Sequence, residues 1–339
     1  MRKAIKQPLF LIGFSILFLF LVSSFTYSFI WDDEIRQEFF VRSAEGKIID
    51  DAPYGPTGSF LLGTDNEGFD LLGKIIVGAK YTILGAFAVA FLRMIISIPI
   101  GLLLGTVFRK QKRFVNGFAD SFHFVPLSII AYYILSPILN MTPDGFENTL
   151  FERIGIEIVI LALLTVPIIS TLIGNETMLI YQKEYVQCAK TVGASKVRIV
   201  RKHIYPALRE KLFVLFGQQI MQAFIIFSHL GVVNLFLGGT ILTFGFGPQD
   251  PPLSVTNEWS GLIGSSFRWM ETAPWIPLAP IICFGLAILA VALMIEGYVI
   301  ATSGRSHYFA KIKKVTNIDS SKVDSNVNAT ELERLKKTS

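Results

Sequence analysis

Six stretches of this chain run for roughly twenty residues or more with almost no charge: 8–30, 83–108, 118–139, 156–180, 212–237 and 275–302. A helix rises 1.5 Å per residue, so about twenty apolar residues cross the ~30 Å hydrocarbon core of a bilayer. Charged residues make up only 17% of the chain, against about 25% in soluble domains. The expectation is an all-α polytopic membrane protein with six transmembrane helices.

The first run follows Arg2, Lys3 and Lys6 and precedes Asp32, Asp33 and Glu34. It is longer than the apolar core of a signal peptide and no A-x-A site follows, so it reads as a retained helix with a cytoplasmic N-terminus. The connecting segments support that orientation. "RKQKR" (109–113), the loop 181–211 and the tail opening at Lys311, Lys313 and Lys314 are basic. Segment 32–70 is acidic, with ten acidic residues and three basic ones. Six crossings from a cytoplasmic N-terminus put every strongly basic segment, and the C-terminus, inside. The chain then divides into an N-terminal helix (1–30), an extracellular segment (31–80), a five-helix core (81–305) with a loop at 181–211, and a largely disordered cytoplasmic tail (306–339).

Within that core, "EYVQCAKTVGASKVRIVRKHIYP" (184–206) is polar and basic between two apolar runs. Glu184 stands where a first helical turn favours an acid, and Val186, Ala189 and Val192 would share a face. Gly193 fits a left-handed stop. Ser195 caps a second helix in which Val197, Val200 and Ile204 recur at helical spacing, and Pro206 ends or bends it. The pattern predicts two short amphipathic helices across the cytoplasmic mouth of the bundle. A plain topological loop would explain the charge but not the Glu–Gly–His–Pro punctuation.

These residues resemble the EAA loop of ABC importer permeases, with Glu184, Ala189, Gly193, His203 and Pro206 on its marked positions. "LLGTDNEGFDLLGKIIVGAKYTI" (61–83) and "EWSGLIGSSFRWMETAPWIPLAP" (258–280) are similar to segments of the peptide/nickel branch, in its oligopeptide and dipeptide C-type subunits. Phe69 replaces an arginine of that pattern, Cys188 an alanine, and 222–239 departs from the usual fifth-span wording. The resemblance implies a permease subunit of an ATP-driven importer for oligopeptides or dipeptides, in a bacterial plasma membrane. It further implies a second homologous permease subunit, two nucleotide-binding ATPase subunits that use ATP and Mg, and an extracellular substrate-binding lipoprotein. The loop would couple to the ATPases through Glu184, Ala189, Gly193, Ser195, His203 and Pro206.

Other chemistries lack support. No G-x-x-x-x-G-K-[ST], HExxH or GxSxG occurs, so no cofactor, metal or catalytic residue is expected on this chain. Cys188 and Cys283 have no disulfide or metal spacing, and nothing points to nucleic acid. A nickel or metal–chelator cargo, a carrier or scaffold not driven by ATP, and a membrane enzyme are the alternatives. Arg93, His229 and Asn234 are candidates for the translocation path, because polar groups at membrane depth face cavities or partners. For each, an interhelical hydrogen bond is the simpler role. Glu296, Asp120 and His123 read as anchors near the inner face.

Overall fold

The computed structural model describes residues 6–42, 48–108, 112–121, 124–244 and 251–302. The tail 306–339, residues 245–250, His123 and the Asp120 side chain therefore lie outside the described residues.

The chain is mostly helical. Its helices are α1 (Pro8–Trp31), α2 (Leu71–Thr106), α3 (Lys112–Ser121), α4 (Leu127–Leu139), α5 (Leu150–Tyr181), α6 (Glu184–Thr191), α7 (Lys196–Ile199), α8 (Tyr205–Val232), α9 (Trp259–Ser266) and α10 (Trp275–Thr302). Two small antiparallel ladders interrupt the all-α expectation: β1 (Phe40–Arg42) with β2 (Ile48–Asp51), and β3 (Thr240–Ile241) with β4 (Leu253–Ser254). Among the described residues, five helical stretches are long and apolar enough to cross a membrane: α1, α2, α5, Lys196–Val232 and α10.

The expected span 118–139 is not one helix. α3 stops at Ser121, the chain bends at Phe124 and Val125, and α4 starts after an extended Pro126. Proline disfavours helical geometry at the residue before it and lacks the N–H that a continuing helix needs. α4 then has 13 residues, about 20 Å of helix. The chain nevertheless travels the length of the bundle here. Gly105, near the end of α2, lies against Thr177 near the end of α5, whereas Met141, just after α4, donates to the Thr240 carbonyl beyond α8.

The second span also begins earlier than the apolar run at 83 implied. Asp70 caps α2 by accepting from the Leu72 N–H at 3.2 Å. Lys74 and Lys80 can sit inside the helix because Asp65 pairs the first and Asp33 the second, at 2.7 Å for Lys80.

α2 and α5 share the most extensive seam among the described helices. A Cβ on Gly101 would stand 2.6 Å from the Ile173 Cβ, and one on Gly105 would collide with the Thr177 Cβ. Such small residues let helix backbones approach where hydrocarbon supplies no hydrophobic drive. α1 packs on α10 in the same way, with Gly13 against the Ala290 carbonyl.

At the ladder end, "LGTD" is a joint. Thr64 is buried; its N–H donates to the Tyr54 carbonyl at 2.9 Å and its Oγ1 accepts from the Tyr54 N–H at 2.8 Å. Asp65 Oδ1 accepts from the Glu67 and Phe69 amides, each at 2.9 Å. Trp275, opening α10, donates Nε1 to the Thr64 carbonyl at 3.2 Å. Buried Trp259 donates Nε1 to the Ile75 carbonyl at 2.9 Å, tying α9 to α2. Glu258 caps α9 through the Ser260 and Gly261 amides, while burial pushes its carboxyl above the ordinary carboxylate range.

Candidate functional site

At the opposite end, α6 leaves α5 by a tight turn. Glu184 occupies its first turn, as its sequence position implied. Val186 is fully buried in a cluster with Ile180, Tyr181, Ile199, Ile204 and Leu208. Lys190 adds a cation–π contact, its Nζ 3.5 Å from the centroid of the Tyr181 ring. α6 is therefore seated on the ends of α5 and α8 rather than trailing in solvent.

Its C-terminus is a Schellman motif. Gly193 takes φ +90°, its N–H donates to the Lys190 carbonyl at 2.9 Å, and the Ala194 N–H donates to the Ala189 carbonyl at 3.0 Å. A Cβ at Gly193 would meet nothing within 4 Å, so the glycine answers to backbone conformation and not to crowding within this chain. Ala189 contributes its carbonyl to that cap.

Ser195 caps the next helix as expected, its Oγ accepting from the Arg198 N–H at 3.4 Å. The expected second short helix is different, however. α7 runs through a π turn, Val200–Ile204, straight into α8, so Lys196–Val232 is one helix of 37 residues. That is about 55 Å long. Pro206 does not end the helix: it sits in the first turn of α8, just after the π turn. A proline ring collides with the carbonyl four residues back in a regular helix, and the wider π turn makes the room.

The buried face also differs. Ile199 and Ile204 point inward, while Val192 is 88% exposed and Val197 76% exposed. Tyr185 and Cys188 are exposed too. His203 lies beside Tyr185, ring centroids 6.2 Å apart, bridging α6 and the π turn. Glu184, Ala189, Gly193, Ser195, His203 and Pro206 thus gather on one compact elbow. Around them Lys183, Lys196, Arg198, Arg201, Lys202 and Arg209 are all exposed.

The three path candidates are dispersed. Arg93 is fully buried among α2, α5 and α8. Its Nε and Nη2 donate to the Leu161 carbonyl at 3.3 and 3.1 Å, and its Nη1 to Gln219 Oε1 at 3.3 Å. His229 is exposed and lines a cavity of about 150 Å³ with Ser128, Ile129, Tyr132, Tyr133 and Val233. Asn234 takes φ +59° in the turn that ends α8. Its carbonyl accepts from Thr240 Oγ1 at 3.1 Å. Glu296 is exposed on α10.

Sequence reasoning missed one buried pair. Arg153 and Glu157, one turn apart on α5, grip the Gly238 peptide from both sides. Arg153 Nε donates to the Gly238 carbonyl at 2.6 Å, and Glu157 accepts the Gly238 N–H at 3.2 Å. The signal was available: an arginine and an acid at i, i+4 entering an apolar run, opposite a Gly-Gly turn.

The family described as "binding-protein-dependent transport system inner membrane component" matches residues 97–299, about three-fifths of the chain. Among curated relatives, the chain is 28% identical over 237 residues to the peptide transport system permease protein SapC of Haemophilus influenzae, covering 70% of each. It is 23% identical over 243 residues to the glutathione transport system permease protein GsiD of Pectobacterium atrosepticum, covering 72% of each. With GsiD of Salmonella typhimurium it shares 25% over 243 residues, 72% of this chain and 71% of the relative.

Proposed function

This chain belongs to the family of binding-protein-dependent transport system inner membrane components, and on that premise we propose that it forms half of the pore of an ATP-driven importer. It is a multi-pass inner-membrane protein and a transport subunit. The cargo in this reading is a short peptide, in keeping with the peptide and glutathione permeases to which the chain is similar.

The bundle crosses six times in this reading, with both termini cytoplasmic and the segment through α4 as the third crossing. Five crossings alone would put loop 181–211, with its eight lysines and arginines, on the side opposite "RKQKR", against the positive-inside bias. ATP is hydrolysed by two separate ATPase subunits, a second homologous permease completes the pore, and an extracellular lipoprotein delivers cargo to segments 31–80 and 238–274.

The observation that carries the reading is the elbow. α6 offers a seated, basic-rimmed helix with exposed Tyr185, flanked by exposed Val192 at its end and Val197 on α7, suited to a groove on an ATPase. Because α7 continues into α8, a push on the elbow displaces the fifth span itself, the rigid-body element of alternating access. Arg93 holds α2, α5 and α8 together across that motion, and His229 faces the path.

Cys188 supplies the test. In a complex co-expressed with the ATPases, a bifunctional maleimide on Cys188 should capture a subunit carrying the Walker motif. Labelling of Cys188 by an impermeant reagent outside intact cells would refute the placement and the coupling together.

A further inference from the structure

Lys211, Gln218, Gln222, Ile225 and His229 follow one another on α8 at steps of seven, four, three and four residues, which is one face of a helix. Gln218 and His229 are exposed and Gln222 is half-exposed. The face joins two cavities. One, of about 300 Å³, is lined by Glu176, Glu210, Lys211, Gln218 and Thr302 with otherwise apolar neighbours; the other holds His229 with Ser128, Tyr132 and Tyr133. Lys211 is paired with Glu176 of α5 at one end, and no carboxylate occurs from residue 212 to 233 or on α4.

Other outward faces are unlike this one. On α10 the exposed large residues from 278 to 289 are Leu278, Ile281, Ile282, Leu286 and Leu289, all aliphatic, and its exposed Glu296 lies further on, towards the end of the helix. Hydrocarbon cannot satisfy the donors and acceptors of two amides and an imidazole on a span. That stripe therefore belongs against water or hydrogen-bonding cargo.

We propose that the α8 stripe Gln218–Gln222–His229, with Ser128, Tyr132 and Tyr133 of α4, is the wall of the translocation path that cargo touches. It rests on the permease reading and deepens it. The wall holds no carboxylate, lysine or arginine and is rich in both donors and acceptors, which matches the backbone amides of a short peptide. A bare divalent cation needs a denser set of carboxylate or imidazole ligands than this wall supplies.

The test uses the full complex in liposomes, with Cys188→Ser and Cys283→Ala as background. Gln218→Cys, Gln222→Cys and His229→Cys are compared with Leu289→Cys on the apolar face. The probe is the membrane-impermeant 2-sulfonatoethyl methanethiosulfonate, which reacts with hydrated thiolate. The stripe positions should react about tenfold faster or more than Leu289→Cys. A pool of di- to pentapeptides, added with the binding protein, should slow labelling at His229→Cys, and nickel chloride should not. Stripe rates equal to the Leu289→Cys rate, in a complex that co-purifies with its ATPases and takes up peptide, overturn the inference and leave the permease reading intact. Absence of slowing by the peptide pool overturns the cargo assignment. Failure to co-purify with the ATPases, scored before labelling, overturns the permease reading and the inference with it.

Discussion

At the ladder end, Thr64, Asp65, Glu258 and Trp259 are buried, and each is held by hydrogen bonds to the backbone of the joint or its neighbours. At the elbow end the marked residues are mostly exposed, the helix cap leaves open space, and the hydrogen bonds are local. The first arrangement resists displacement, because opening it strands buried polar groups. The second has little to strand and a surface to grip. A machine that rocks needs both: a fastened pivot and a handle.

Damage at the two ends should accordingly separate stability from coupling. The largest effect is expected at Asp65. Asp65→Ala leaves Lys74 buried without its partner and frees two amides, a loss of about 3–5 kcal/mol. Thermal unfolding in detergent should show it, and an unchanged midpoint would remove the joint from the account. Gly193→Val comes next. Forcing a β-branched residue to φ +90° costs roughly 1–2 kcal/mol and remodels the elbow. Membrane insertion should persist while peptide-stimulated ATP hydrolysis and uptake fall, and normal coupling would count against the handle. Ser195→Ala removes a cap worth about 1 kcal/mol, which hydrogen exchange should register as faster opening of residues 196–199. Lys211→Gln is the mildest, since an exposed pair contributes about 0–1 kcal/mol. Its melting curve should overlay the parent, and a large drop would mean that Glu176 and Lys211 fasten the helices.

The two ends also differed in how far the sequence disclosed them. The elbow's cap residues were legible, because Gly193 and Ser195 act through local backbone geometry that spacing reveals. Its continuity was not. Pro206 reads as a helix end, and only the π turn, a feature without a composition signature, lets the helix pass through it. Val197 was expected inside by periodicity, yet the same π turn rotates Ile199 and Ile204 inward instead. In residues 118–139 the apolar run was real, but Pro126 divided it, and hydropathy does not register backbone breaks. The Arg153–Glu157 grip on Gly238 escaped notice because the partners lie about eighty residues apart. Of the α8 stripe only His229 was singled out from the sequence; Gln218 and Gln222 share its helical spacing, but only exposure distinguishes that face from an interior one.

The central claim is that Lys196–Val232 acts as one lever between the ATPase and the pore. Replacing the exposed Ala207 and Glu210 with glycine would soften that lever just beyond the π turn while leaving α6 and its basic rim in place. In proteoliposomes with the complete complex, the account predicts that the ATPases still bind and hydrolyse ATP while peptide uptake falls to background. Uptake that remains fully coupled to hydrolysis in this variant would contradict it.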